Sequence, residues 1–227
     1  MCGRFTIAFE PLELQEEFDI PEMPADWVIR YNVAPTQLIP VITNSSERKI
    51  EFYKWGLIPS WAKDPAIGSR LINARAETIT DKPSFRQAFQ KRRCLILTDG
   101  FYEWKKGLHG RGPSELYRFQ KKDGKPFAFA GLWDAWHSPA GEEIRTCTII
   151  TCHANTVVAP VHERMPVILE KANYWKWLDE TNGNDYLNLL VPFPPELMKA
   201  YPVGRSVNNA TIDNSELIAP ISGSLFK

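Results

Sequence analysis

The stretch ELYRFQKKDGKPFAFAGLW, residues 115–133, carries the strongest fold signal in the sequence. Two runs rich in aromatic and aliphatic residues flank a polar KKDG segment, and Asp-Gly between such runs is typical of a β-hairpin turn. We therefore predict that residues 115–120 pair with residues 125–133 as antiparallel strands. The chain continues through WHSPAGEE (136–143) into RTCTIITC (145–152), which extends the prediction to an antiparallel meander of at least three strands.

Neighbouring regions extend this strand-rich pattern. LIPVIT (38–43) and RKIEFYKW (48–55) flank the turn sequence NSSE, which predicts a second hairpin with Ile50, Phe52 and Lys54 on one face of its latter arm. Apolar residues at helical spacing predict a few helices. These segments are PLELQEEF (11–18), KPSFRQAFQKR (82–92), KANYWKWLDE (171–180) and two short ones near 184–190 and 195–200. The sequence therefore predicts an α+β fold, a mainly antiparallel bent sheet or open β-barrel with peripheral helices.

Composition and charge limit the classes of protein to consider. Lys and Arg total 27 and Asp and Glu total 27, so the formal net charge is zero, and a nucleic-acid partner has to be held by a local patch. A hydrophobic fraction of 44% excludes general disorder, and we predict one domain over residues 1–227. No apolar run reaches the roughly 20 residues of a membrane span, and MCGRFTIAFE does not match a signal peptide. We expect a soluble cytoplasmic protein with no membrane partner.

Three of the four cysteines fit a structural role. Cys94, Cys147 and Cys152 lie in runs that indicate buried strands, and in a reducing compartment we expect all four cysteines to stay unpaired. There is no CxxC motif, and adjacent Cys152 and His153 face opposite sides of a strand. The sequence therefore predicts neither a metal site nor a cofactor.

Cys2 stands apart because it becomes the first residue once the initiator methionine is removed, as is usual before a small residue. Its α-amine, with a reference pKa of about 7.7–8.0, and its thiol, near 8.5, would then share one residue. The amine can condense with an aldehyde to an imine, and the thiol can close on the same carbon to form a five-membered thiazolidine. Ring closure is intramolecular and therefore gains a high effective molarity. A single cysteine at position 2 is nevertheless weak evidence.

Several polar segments accompany Cys2 in the chain. These are YNVAPTQ (31–37), WGLIPSW (55–61), NARAET (73–78), FYEW (101–104) and HERMPVIL (162–169). If NARAET is extended, Asn73, Arg75 and Glu77 point to one face. Glu103 is predicted to sit just past the end of a strand, and His162 lies in a polar stretch before another strand. Each segment also has an ordinary interpretation as a turn, a solvated face or an ion pair, such as one between Glu77 and an arginine.

Together with the MCGRF start, these segments resemble the family of SOS-response-associated peptidases, also called abasic-site processing proteins. The six motifs occur in the order of the family, and residues 206–208 and 216–218 fit its C-terminal end. The resemblance covers residues 2 to about 220 of this chain. It implies that the mature Cys2 forms a stable covalent bond with the ring-opened aldehyde of an abasic site in single-stranded DNA, after self-processing removes Met1. It also implies a cytosolic, nucleoid-associated protein, which we expect to be a monomer.

The resemblance assigns site residues by position. The active-site matches are Cys2, Asn73, Glu103 and His162, and the DNA-binding matches are Arg4, Trp61, Asn73, Arg75 and Arg164. We expect the four active-site residues to converge in one cleft. Glu103, between two aromatic residues, should have a raised pKa and shuttle a proton as the sugar ring opens, with assistance from His162. Trp61 offers a stacking face for a base.

Two other functions use the same residues. The first is an N-terminal-nucleophile cysteine peptidase or amidase, in which the amine of Cys2 acts as the base and Asn73 as an oxyanion donor. The second is a passive single-stranded DNA-binding module, whose binding depends on salt and survives the loss of Cys2. A hydrolase releases product, whereas an abasic-site trap leaves a one-to-one adduct that is stable to denaturant.

Overall fold

The computed structural model describes residues 2–44, 48–105, 114–179 and 185–221. In these ranges the α-helices are α1 (Pro11–Phe18), α2 (Pro83–Lys91) and α3 (Tyr174–Leu178). The strands are β1 (Phe5–Ile7), β2 (Arg30–Val33), β3 (Leu38–Thr43), β4 (Glu51–Trp55), β5 (Asn73–Arg75), β6 (Arg93–Thr98), β7 (Gly100–Lys105), β8 (Glu115–Lys121), β9 (Phe127–His137), β10 (Glu143–His153), β11 (Arg164–Pro166), β12 (Ile168–Leu169) and β13 (Met198–Pro202). Short 3₁₀ helices lie at Pro65–Arg70, Ala76–Thr78, Lys171–Asn173, Asp185–Leu189, Pro195–Leu197, Arg205–Asn208 and Ser215–Ile218.

Five strands pair in a ring that forms a small barrel. The neighbours β3–β4, β3–β6, β6–β9 and β9–β10 are antiparallel, and β4 pairs with β10 in parallel to close the ring. Closure removes the free sheet edges that would otherwise expose unpaired backbone groups. Strands β5, β11 and β12 extend the barrel at the ends of β10 and β9. The predicted α+β fold on a mainly antiparallel barrel-like sheet is confirmed.

A second sheet of five strands, in the order β13-β8-β7-β1-β2, packs against the barrel. Phe5 of β1 makes edge-to-face contacts with Trp55 and Phe129 of the barrel, with ring centroids 5.1 and 5.9 Å apart. The outer side of this sheet buries Tyr102 and Leu116 beneath apolar residues of the C-terminal segment, among them Val207. The start of the chain is therefore enclosed between two layers of structure.

The predicted hairpin between residues 115–120 and 125–133 is wrong. β8 pairs with β7 and β13, whereas β9 pairs with β6, β10 and β12, so the two strands belong to different sheets. A turn does form, because the Gly124 N–H donates to the Lys121 carbonyl oxygen at 3.2 Å. The following Pro126 has no backbone N–H with which to continue a ladder against β8. The next part of the predicted meander, β9 with β10, is confirmed.

The second predicted hairpin is confirmed, since β3 and β4 pair antiparallel, although Ser45–Glu47 of its turn lie outside the described residues. In β4 the face of Tyr53 and Trp55 is the more deeply buried one, rather than that of Phe52. The three structural cysteines are buried as predicted.

Most of the predicted helices are confirmed, and the exception lies near the C-terminus. α1 and α2 lie within the predicted segments, and 171–178 is helical throughout as a 3₁₀ turn followed by α3. Of the stretch near 195–200, only the first three residues are helical, and β13 begins at Met198 because it pairs along the edge of β8. Residues 180–184, which end one predicted helix and begin another, lie outside the described residues.

Candidate active site around Cys2

Strand pairing carries Cys2 to a buried position beside β7. Phe5 lies opposite Phe101 in the β1–β7 ladder, and the Tyr102 N–H donates to the Arg4 carbonyl oxygen at 3.0 Å. The residues ahead of β1 therefore continue along β7 toward Glu103. The side chain of Cys2 is fully buried. Burial raises the pKa of its thiol well above the usual range, and the nearby charge of Glu103 raises it further.

Glu103 is a buried acid inside a strand. Sequence analysis placed it just past a strand end, but it lies within β7 and opposite Tyr117 of β8, so that earlier placement is wrong. Only 2% of the residue is exposed. Burial raises the pKa of its carboxyl group to about 7, because desolvation disfavours the charged form. Near neutral pH this group can therefore both donate and accept a proton.

Asn73 ties a barrel strand to the N-terminal segment. Its Nδ2 donates to the Cys2 carbonyl oxygen at 2.9 Å, and β5 is fixed by its parallel pairing with β10. The buried Oδ1 of Asn73 has no hydrogen-bond partner among the described residues. This amide therefore holds the backbone of Cys2 and keeps an acceptor for a group that enters the site.

The expected common face of Asn73, Arg75 and Glu77 is only partly present. The first two residues belong to β5, where alternation places them on one face, whereas Glu77 lies in the 3₁₀ turn Ala76–Thr78. The chain leaves the extended conformation after Arg75, so the alternation stops there. Glu77 instead reaches Arg164, as the alternative ion-pair interpretation allowed.

His162 lies two residues before Arg164, the first residue of β11. Its Nδ1 accepts a hydrogen bond from the Arg164 backbone N–H at 2.9 Å. β11 and β5 are linked through β10, because Thr151 is opposite both Pro166 and Arg75. A hydrogen bond joins Asn73 to Cys2, and the β1–β7 register brings Glu103 close enough to affect the pKa of the Cys2 thiol. The placement of His162 in the same cleft stays a prediction.

The three predicted DNA-binding arginines differ in what they contact. Arg4 donates to Asn32 Oδ1 at 2.7 Å and to the Val207 carbonyl oxygen at 2.5 Å, which are neutral acceptors. Arg75 is exposed, and its side chain forms no hydrogen bond or ion pair with any described residue. Arg164 is buried, and its guanidinium is bound by Glu77. Arg75 therefore has the side chain best able to reach a phosphate.

Trp61 is presented on a well-fixed loop. It is 55% exposed although its flanking backbone is held on both sides. The Ser60 N–H donates to Asp134 Oδ2 at 3.0 Å, and Trp136 Nε1 donates to the Ala62 carbonyl oxygen at 2.7 Å. An exposed indole on a rigid loop is suited to stacking with a base.

Sequence reasoning missed the part played by Asn32. Its Nδ2 lies within hydrogen-bonding distance of three carbonyl oxygens of the C-terminal segment, those of Val207, Asn209 and Ile212, at 3.2, 3.0 and 2.8 Å. Its Oδ1 accepts from Arg4, so this amide joins the two ends of the chain beside the site. The only signal was an amide in the YNVAPTQ segment, and that signal does not reveal partners about 175 residues away.

Over the described ranges, no group of three or more His, Cys, Asp or Glu residues is arranged to hold a metal ion. Within those same ranges, no helix is long and apolar enough to cross a membrane.

The fold and site together define a class: an α+β barrel protein in which Cys2 is buried near the carboxyl group of Glu103. The sequence model of the family described as SOS response associated peptidase (SRAP) matches residues 1–210. The chain belongs to this family.

Individual relatives span nearly the whole chain. Abasic site processing protein YoqW of Bacillus subtilis is 43% identical over 223 residues, which cover 96% of this chain and 99% of that protein. Abasic site processing protein HMCES of Rattus norvegicus is 32% identical, with 97% of this chain and 76% of that protein covered. A crystal structure of a protein from Bacteroides thetaiotaomicron superposes with a TM-score of 0.87 at 26% identity, covering 97% of this chain and all of that one.

Proposed function

We propose that the mature protein traps abasic sites in single-stranded DNA as a covalent thiazolidine at Cys2, which shields them during the DNA damage response. The relatives named above are abasic site processing proteins. The observation that carries the proposal is the placement of Cys2 against Glu103, with its carbonyl held by Asn73. This is an arrangement that delivers an amine, a thiol and a proton-transfer group to one aldehyde.

The proposed chemistry balances with the loss of one water. Glu103 in its protonated form gives a proton to the sugar ring oxygen as the hemiacetal opens to the aldehyde, and the anomeric hydroxyl releases its own proton to solvent, from which the ring nitrogen later takes one up. The α-amine of Cys2 adds to the aldehyde carbon, and water leaves to give the imine. The thiol sulfur then adds to the imine carbon, its proton passes to the Glu103 carboxylate, and the nitrogen takes up a proton. Asn73 keeps the backbone of Cys2 in place throughout.

The chemistry requires a free α-amine, so the Met1–Cys2 peptide bond has to be hydrolysed first. We assign this step to self-processing, in keeping with the peptidase description of the family. Self-processing is a hydrolysis, and the covalent trapping that follows uses up the protein in a single event. We therefore propose an enzyme of the hydrolase or lyase class. We propose that it acts as a monomer in the bacterial cytosol, in association with the nucleoid.

The raised pKa of the Cys2 thiol favours the trap over the alternative cysteine peptidase. Peptidase nucleophiles act as thiolates, and their pKa values are lowered by nearby positive groups. Burial and Glu103 have the opposite effect on Cys2. A thiol that adds to an imine while a neighbouring carboxylate removes its proton does not need to be a thiolate beforehand.

Intact mass spectrometry after incubation with an abasic single-stranded oligonucleotide tests the proposal. We expect the mature protein to gain the mass of one oligonucleotide less one water. A hydrolase would form no adduct with the oligonucleotide but would cleave an amide substrate. A passive binder would form no adduct and would leave the masses of protein and oligonucleotide unchanged. A chain whose N-terminal extension is verified to remain should form no adduct, because its amine is blocked. Adduct formation by that extended chain would contradict the proposal.

Binding to the DNA backbone is assigned first to Arg75. Replacing Arg75 with Ala is expected to weaken binding to single-stranded DNA of any sequence and to lower the salt slope by about one, as for the loss of one phosphate contact. The measurement is fluorescence anisotropy over a range of salt concentrations. Arg86→Ala is a matched control, because Arg86 of α2 is also exposed and makes no side-chain contact with a described residue. An unchanged slope for Arg75→Ala would assign that arginine a different role.

We also propose DNA contacts for Arg4, Arg164, Asn73 and Trp61. Arg4 has neutral acceptors, and no carboxylate among the described residues pairs with it, so its positive charge adds to the local potential. Arg164 is the weakest of the set because its guanidinium is buried and paired with Glu77. We therefore expect its replacement to change the site more than the salt slope.

A further inference from the structure

We propose that Glu77 is a positioning residue for His162, acting through Arg164. Glu77 is not one of the four proposed active-site residues. It pairs with Arg164, and the backbone of Arg164 contacts the ring of His162. The inference about geometry stands on the free protein, whereas its effect on catalysis rests on the proposed function.

Arg164 and Glu77 form an ion pair in which the arginine is the buried partner. Arg164 donates through both terminal nitrogens to the two carboxylate oxygens of Glu77, at 2.7 and 2.9 Å. It also donates to the Thr151 carbonyl oxygen at 2.7 Å and to Thr151 Oγ1 at 3.2 Å. Only 6% of the Arg164 side chain is exposed, whereas 39% of the Glu77 side chain is, so the two-point contact fixes the orientation of the buried guanidinium from an acid that lies at the surface. The same hydrogen bonds lower the pKa of Glu77, which keeps it charged at neutral pH.

The backbone of Arg164 contacts the imidazole ring of His162. The Arg164 backbone N–H donates to His162 Nδ1 at 2.9 Å. The Arg164 carbonyl oxygen lies 3.2 Å from the same Nδ1, so a ring protonated at Nδ1 could instead donate to that oxygen. The shorter contact is the one from the backbone N–H, and we expect it to favour the neutral tautomer with Nδ1 unprotonated and the N–H at Nε2. The backbone of His162 is fixed as well, because its N–H donates to the Val158 carbonyl oxygen at 3.0 Å. The geometry of this turn therefore sets which tautomer of His162 is favoured.

The ion pair also connects to the rest of the site. Glu77 lies in the 3₁₀ turn that directly follows β5, and β5 carries Asn73 with its hydrogen bond to Cys2. One carboxylate thus joins the strand that holds Cys2 to the turn that orients His162. Loss of the Glu77 carboxylate would leave the buried Arg164 guanidinium with only its contacts to Thr151, and an uncompensated buried charge favours a change in its position.

The test is long-range ¹H–¹⁵N correlation NMR of the histidine rings in the free protein, with His162 assigned by its absence in a His162 variant. In the wild type we expect a single tautomer of His162, with Nδ1 unprotonated. In Glu77→Gln we expect a mixture of tautomers, and in Glu77→Asp, which keeps the charge, a partial return to the single form. Glu143→Gln is the matched control, because Glu143 forms an exposed ion pair with Arg145.

The same variants are then compared in the DNA cross-linking assay. Glu77→Gln is expected to slow adduct formation by roughly tenfold to a hundredfold, the scale of a small misplacement of a reacting group, with partial recovery in Glu77→Asp. Thermal unfolding of each variant establishes that it is folded. A single unchanged tautomer in folded Glu77→Gln would overturn the positioning role. Absence of any adduct with the wild type would instead reject the proposed function and leave the tautomer result standing.

Discussion

Replacement of Cys2 with Ala is expected to abolish the heat-stable adduct with abasic DNA, with a loss of more than about a hundredfold, because ring closure by the thiol supplies the intramolecular advantage. The variant is compared once intact mass spectrometry has verified that Met1 is absent, so that its α-amine is free as in the mature wild type. That amine can form an imine with the aldehyde, but nothing closes the ring. The imine then hydrolyses or permits β-elimination, which cuts the strand. A denaturing gel with and without borohydride should therefore show an adduct only after reduction.

The matched control for that experiment is Cys147→Ala. Cys147 is fully buried like Cys2 but lies in β10 of the barrel. Its replacement creates a small cavity and a moderate loss of stability, yet the heat-stable adduct should form as in the wild type. If Cys2→Ala still gives the heat-stable adduct without borohydride, the thiazolidine mechanism is wrong and another nucleophile is responsible.

The fold could be predicted from local patterns where neighbouring segments pair with each other. The strand-like runs 38–43 and 48–55 on either side of the NSSE turn are sufficient to predict the β3–β4 hairpin, because the strands are adjacent in the chain and in the sheet. The hairpin at 115–133 failed because turn residues show that the chain reverses, but not which strand it will pair with. Phe119 of β8 stacks on Phe101 of β7 with centroids 5.0 Å apart, a long-range partner that no local pattern reveals.

For the site as well, the sequence identifies candidate residues but not the residues that they contact. Motifs identify Cys2, Asn73 and Glu103 as candidates, but Glu103 was predicted at a strand end because FYEW follows an apparently complete strand. Its place inside β7 is what buries it and raises its pKa. Similarly, Arg164 and Glu77 are 87 positions apart in the chain. They meet because β10 pairs both with β11, which begins at Arg164, and with β5, which directly precedes the turn that carries Glu77. Charge patterning alone does not distinguish a buried structural arginine from a DNA-binding one.

Replacement of Glu103 with Gln should have the second-largest effect, because it removes the carboxyl group that lies near Cys2 and that we propose transfers protons. General acid–base catalysis contributes about 10²–10⁴-fold, so adduct formation should slow by that factor. The informative quantity is the ratio of wild-type to Glu103→Gln rate across pH, since titration of the amine and thiol of Cys2 largely cancels in it. If Glu103 acts as an acid, this ratio is high below pH 7 and falls about tenfold per pH unit above its pKa of about 7.

Stability provides the control that separates a catalytic loss from misfolding. The pKa of Glu103 rises from an ordinary value of 4.5 to about 7 on folding, so between these values the folded chain keeps a proton that the unfolded chain releases. This group therefore favours the folded state least above pH 7, where burial of its charge costs on the order of 3 kcal/mol. Glu103→Gln removes that cost and should melt at a higher temperature than the wild type at pH 8, with the difference vanishing near pH 4. A variant that is more stable and yet slower, with a rate ratio that depends on pH, assigns the loss to proton transfer; a ratio independent of pH would mean that Glu103 only shapes the site.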